Sequence, residues 1–134
     1  ASLKEIDQVV SFFQHRQIEL AIMHCVGEYK TKRENLQLNQ ISILKHRYPS
    51  VPIGYSTHEQ PDNFDSIFVA FGKGARIFEK HVALETRDYT KNDYSVTPDQ
   101  ARCWLDNAAK AHTMLGVNDD RHPISEKEKY KYKA

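Results

Sequence analysis

The sequence predicts an α/β fold, three parallel strands with flanking helices, and three observations carry that reading. Apolar runs of strand length alternate with segments of helical periodicity. The strand runs open apolar and gather polar side chains toward their C-terminal ends. Glycine or proline stands at most of the boundaries. Strands that alternate with helices imply a parallel sheet with right-handed crossovers, because parallel neighbours need a long connection.

The elements follow in order. Residues 2–17 read as a helix: Ser2 and Glu5 have capping-box spacing, and Ile6, Val9, Val10 and Phe13 form one apolar face. Residues 18–27, IELAIMHCVG, read as a buried strand ending at a glycine. Residues 34–49 predict a helix anchored by Leu36, Ile41 and Leu44 and stopped by Pro49. Residues 51–58, VPIGYSTH, predict the second strand. Residues 63–74 predict a helix with Phe64, Ile67, Phe68 and Phe71 inward, ended by Gly72 or Gly74. Residues 75–84, ARIFEKHVAL, predict the third strand. After a polar loop at 85–97, Thr97 caps a helix with Pro98 in its first turn, closed by Gly116, and Trp104 belongs to its core face. The end of the chain, EKEKYKYK at 126–133, reads as a solvated or frayed segment, so residues 1–126 form the folded part and 127–134 a charged tail.

Composition bounds the function. A net charge of +1 gives no electrostatic case for binding nucleic acid or an anionic membrane. No apolar run approaches the ~20 residues of a membrane span. Cys25 and Cys103 form no CxxC pair, which argues against a disulfide framework, and the N-terminus shows no leader pattern. The expectation is a cytoplasmic protein. Three strands leave two open edges, and a closed (β/α) barrel needs about 250 residues. The chain therefore reads as part of a larger sheet, or as one that pairs with a second copy, and a homo-oligomer is expected.

RIFEKHVAL, at 76–84, poses a chemical question, since it sets Glu79, Lys80 and His81 inside an apolar strand. Side chains two apart share a strand face. Ile77, Glu79 and His81 point one way; Phe78, Lys80 and Val82 point the other. Gly54, Ser56 and His58 share a face of the second strand, and Met23, Cys25, Gly27 and Tyr29 a face of the first. The C-terminal ends of parallel strands are where such folds bind ligands. His58 and His81, on neighbouring strands, have the placement of two ligands to one divalent ion, with Glu79 beside them. The plainer alternative is a pair of loop-edge histidines. Lys80 faces the helix layer, to reach solvent or pair there. His24 has the wrong parity for the site and reads as a packed or hydrogen-bonded histidine behind the sheet. His15, His46, His112 and His122 read as solvent-facing.

The ordered blocks HCVGEYKT (24–31), IGYSTHE (53–59), GARIFEKHVAL (74–84) and YSVTPDQ (94–100) resemble the sialic acid synthase (N-acetylneuraminate synthase) family, including its spore-coat polysaccharide biosynthesis relatives. The resemblance implies a partial (β/α) TIM-type barrel, with residues 1–126 its C-terminal portion. It implies condensation of phosphoenolpyruvate with an N-acetylated amino sugar to give a sialic-acid-like nonulosonic acid and phosphate. It implies a divalent metal, manganese or magnesium, on His58 and His81, and a catalytic Glu79. It assigns Ser56 to phosphoenolpyruvate and Tyr29 to the sugar, with Asn92 or Asp93 near the place of a sugar-binding aspartate. Gly27, Lys30, Thr57 and Glu59 depart from the family pattern, which leaves the acceptor sugar open. The lysines that hold phosphoenolpyruvate belong to earlier strands, so this chain alone is expected to be inactive. The alternatives are a non-catalytic sugar-binding module on the same scaffold and a metal-dependent aldolase or hydrolase.

Overall fold

A computed structural model describes residues 1–116 and 124–131. Its sheet has three parallel strands in the order β1-β2-β3: β1 (Ile22–Cys25), β2 (Ile53–Thr57) and β3 (Ile77–Lys80). Register is Ile22 to Ile53 and Cys25 to Ser56 in one ladder, and Gly54 to Ile77 and Thr57 to Lys80 in the other. Helices α1 (Leu3–His15), α2 (Asn39–Arg47), α3 (Ser66–Gly72) and α4 (Pro98–Leu115) flank it, and a short helix, α5 (Glu126–Lys131), follows.

Local chemistry sets the boundaries. Ser2 and Glu5 form the expected capping box on α1, and Thr97 and Gln100 form one on α4. Each satisfies two backbone donors that the first helical turn leaves free. Gly116 closes α4 at a φ of 73°, and α3 ends at Gly72 with Gly74 in the left-handed region just beyond. The helix expected over 34–49 is shorter. Gln37 takes a φ of 51° and splits that stretch into a 3-10 turn at Arg33–Asn35 and the α2 helix. The break frees the Leu36 carbonyl, and the buried His24 ring lies 2.8 Å from it through Nε2.

The core lies between the sheet and the helices. Ile41, Leu44, Ile53, Tyr55, Ile67, Ala70, Ala75 and Trp104 are buried in it, with Phe64, Phe68 and Phe78 packed against them. Val9 is about half exposed, because α1 lays only Val10 fully into the core. Asp7 joins α1 to the end of α2: its carboxylate accepts two hydrogen bonds from Arg47, at 2.7 and 2.6 Å, and one from the Tyr48 hydroxyl at 2.7 Å. Those donors hold the Asp7 carboxyl down at about 2.

Gly54 is the tight point of the sheet. A Cβ there would sit 2.8 Å from the Ile77 carbonyl and closer still to the Met23 side chain. The third strand is also shorter than expected. After Lys80 the chain leaves the ladder, and the loop returns so that Val96 pairs beside it: Val96 N donates to the His81 carbonyl and Ala83 N to the Val96 carbonyl. The outer side of β3 is thus partly covered at its C-terminal end. Within the charged segment, Glu126–Lys131 forms a short helix capped by Ser125. His15, His46 and His112 are exposed as expected, and His122 lies outside the described residues. No described helix is long and apolar enough to cross a membrane.

Candidate functional site

The site is built at the C-terminal end of the sheet. His58 directly follows β2 and is 6 % exposed, whereas His81 directly follows β3 and is exposed. Their ring centroids lie 5.1 Å apart with the planes tilted by 42°. His58 Nδ1 is 3.1 Å from the Val26 carbonyl. A carbonyl only accepts, so Nδ1 carries the proton and Nε2 keeps its lone pair. The Cys25 sulfur lies 3.8 Å from the same Nδ1.

Tyr29, from the loop after β1, packs on His58 at a centroid distance of 4.2 Å. Tyr94, from the returning loop, contacts Tyr29 at 4.7 Å, His81 at 5.2 Å and His58 at 5.9 Å. The two tyrosines wall the imidazole pair. One register step down the strands, Ser56 Oγ donates to Glu79 Oε1 at 2.7 Å, as expected for directly opposed residues on one face. Tyr29, Ser56, His58, Glu79 and His81 therefore line one end of one face of the sheet.

Asn92 and Asp93 sit differently. The Asn92 side-chain oxygen accepts from Ser95 N at 2.8 Å and closes the turn that leads into Val96. Asp93 is exposed and forms an ion pair with Lys30 at 3.1 Å, linking the returning loop to the loop that carries Tyr29.

The paired histidines fit a divalent ion in their donor chemistry. The two rings stand side by side at the strand ends, with centroids 5.1 Å apart. Among the described residues no three His, Cys, Asp or Glu side chains converge on one ion position. The protein would supply two imidazoles and leave the remaining positions to water or substrate.

Behind the sheet lies a second polar group. Glu59 is fully buried, and its Oε1 accepts from Thr57 at 3.1 Å, from Tyr55 at 3.3 Å and from Ser66. The Lys80 ammonium, also buried, lies 3.8 Å from Glu59 Oε1 and 5.3 Å above the Trp104 ring. Lys80 thus pairs in the helix layer and does not reach solvent. Burial lowers the Lys80 pKa, partly offset by the Glu59 charge, and burial raises that of Tyr55. Sequence reasoning missed Glu59 as the partner and Tyr94 as a wall of the site. Strand parity announced Lys80, but Glu59 lies past the strand end, where alternation no longer fixes direction. Tyr94 lies in a loop without periodicity.

The fold and site define a segment of an α/β barrel with a histidine pair at the carboxyl ends of its strands. The chain belongs to the NeuB family, whose model matches residues 1–120. A solved spore coat polysaccharide biosynthesis protein E from Chromobacterium violaceum superimposes with a TM-score of 0.89 and 48% identity, over 98% of this chain and 39% of that one. A sialic acid synthetase from Leptospira borgpetersenii, solved with citrate, superimposes at a TM-score of 0.83 and 29% identity, over 98% of this chain and 46% of that one. N-acetylneuraminate-9-phosphate synthase of Drosophila melanogaster is 42% identical over 67 residues, covering 50% of this chain and 18% of the fly protein. The chain spans less than half the length of each of these relatives.

Proposed function

We propose that the chain is the strand-end portion of a sugar-acid synthase that joins phosphoenolpyruvate to an N-acetylated amino sugar, giving a sialic-acid-like nonulosonic acid and phosphate. The observation that supports this most is the convergence of His58 and His81 beside the Ser56–Glu79 pair, in a chain whose named relatives are synthases of such acids.

In this reading His58 and His81 hold a divalent ion, manganese or magnesium. Bound there, the ion supplies Lewis acidity toward the aldehyde oxygen of the open-chain sugar. The rest of the work belongs to the chain's own residues. The Val26 carbonyl fixes the His58 tautomer, so its lone pair is ready without reorganisation. Tyr29 and Tyr94 flank the imidazoles and offer an aromatic wall to the sugar. The new bond forms between C3 of phosphoenolpyruvate and the aldehyde carbon as the C=O π pair moves to the aldehyde oxygen, which becomes a hydroxyl by taking one of the two protons that the captured water gives up. The electron-poor C2 is captured by water, and the C2–O bond to phosphate breaks. Glu79, held by Ser56, stabilises the positive charge at C2 and takes the proton of the incoming water. Ser56 would also contact phosphoenolpyruvate. Asp93 and Asn92 would belong to the sugar side, with Asp93 paired to Lys30 in the loop that carries Tyr29.

Strands beyond this chain would supply the cations that clamp phosphoenolpyruvate, so the 134-residue chain alone should give no condensation product at a rate comparable to full-length relatives. The free edge of β1 is expected to promote self-association. Manganese titration followed by electron paramagnetic resonance tests the core of this reading. The wild-type chain should bind manganese, and His58→Ala and His81→Ala should each weaken it more than about 10-fold. Equal affinity in all three proteins would remove the metal pair and the function built on it.

A further inference from the structure

The buried Glu59–Lys80 pair stands behind the sheet, on the face opposite the site. Its two members are nevertheless the chain neighbours of the two site histidines: His58 precedes Glu59, and Lys80 precedes His81. Both side chains are essentially inaccessible, at 2% for Lys80 and 0% for Glu59. Burying two charges costs more than a loose ion pair returns, so a pair of this kind is poorly explained by stability alone. The contact is loose here. Glu59 Oε2, Lys80 Nζ and Trp104 Nε1 have no hydrogen-bond partner among the described residues, and the ions stand 3.8 Å apart.

Such a pair does fix register. A slip of β3 by one residue against β2 would turn Glu79 and His81 to the rear and bring Lys80 to the front. That slip would also strand the Lys80 charge away from Glu59. Glu59 itself is held from several sides: by the hydroxyls of Tyr55, Thr57 and Ser66, and by a parallel bridge to Thr31, whose N–H donates to the His58 carbonyl.

We propose that Glu59 and Lys80 are positioning residues: their buried ion pair staples the ends of β2 and β3 from behind and thereby sets the separation of the His58 and His81 imidazoles in front. The inference concerns the distance between the rings. It rests on the proposed metal site only for the claim that this distance matters to binding.

The test removes both charges while keeping shape. Glu59→Gln keeps an acceptor oxygen for the three hydroxyls, and Lys80→Met keeps the stem under Trp104. The double variant E59Q/K80M is compared with wild type in two measurements. The first, independent of any metal, is the nuclear Overhauser effect between the ring protons of His58 and His81. The second is manganese affinity. The proposal expects a cooperatively folded variant in which the ring–ring effect falls at least two-fold and manganese binding weakens about 10-fold. An unchanged ring–ring effect in the folded variant overturns it, whatever the metal does. If wild type binds no manganese but the ring–ring effect still falls in the variant, the metal reading fails and the staple stands. Should the variant not fold, hydrogen exchange in wild type decides. Amides at the Thr57–Lys80 end of the ladder should exchange as slowly as those at the Gly54–Ile77 end, and faster exchange at the paired end overturns the proposal.

Discussion

The front and the back of this small sheet treat the same residue types in opposite ways. In front, His81 and Glu79 are exposed and Tyr29 is 59% accessible. Behind, one residue along the same strand, Lys80 is sealed under Trp104 against a carboxylate that no solvent reaches. Adjacent positions thus carry ionisable groups for different purposes. Those in front stay exposed, and those behind are buried within the fold. The lesson is that a run such as Glu79-Lys80-His81 is two functions interleaved by the alternation of a strand.

Breaking the rear should have the largest effect on stability. Lys80→Ala leaves the Glu59 charge buried without its partner and should cost about 3–5 kcal/mol, read from urea unfolding. Next comes the tight point of the ladder. Gly54→Ala forces a methyl against the Ile77 carbonyl and the Met23 sulfur, and should cost about 1–3 kcal/mol in the same assay. His81→Ala on the front should change stability by no more than about 0.5 kcal/mol while weakening manganese binding more than about 10-fold. A large loss of stability from His81→Ala would erase the distinction between the two faces.

The smallest effect is a pH dependence remote from both faces. The Asp7 carboxyl is held at about 2 by Arg47 and Tyr48, below its value in an unfolded chain. Its contribution is therefore complete above about pH 4 and is lost as pH falls toward 2. Asp7→Asn should flatten that part of the profile of midpoint against pH, and an identical slope in both proteins would exclude this pair as a source of acid sensitivity.

Much of this was legible in the sequence, because most of it depends on alternation and caps. The order of helices and strands, the capping box at Ser2, the cap at Thr97, the rearward His24 and the shared face of Ser56, His58, Glu79 and His81 all follow from period and residue type. Three features were not legible, each for a physical reason. The helix break at Gln37 needs a left-handed backbone at a residue that gives no local sign of one. The burial of Glu59 depends on the direction of the chain after a strand ends. Pairing of Val96 beside β3, which shortens the exposed edge expected from three strands, is a long-range contact across a loop.

That last contact has a consequence of its own. The loop between His81 and Val96 is clamped at both ends by hydrogen bonds to one another, so its two feet are fixed to a single point of the scaffold. A segment closed in this way tolerates insertions and deletions at small entropic cost wherever it makes no contact beyond itself. The length and composition of residues 85–91 can therefore vary while the imidazole at the loop's foot keeps its place.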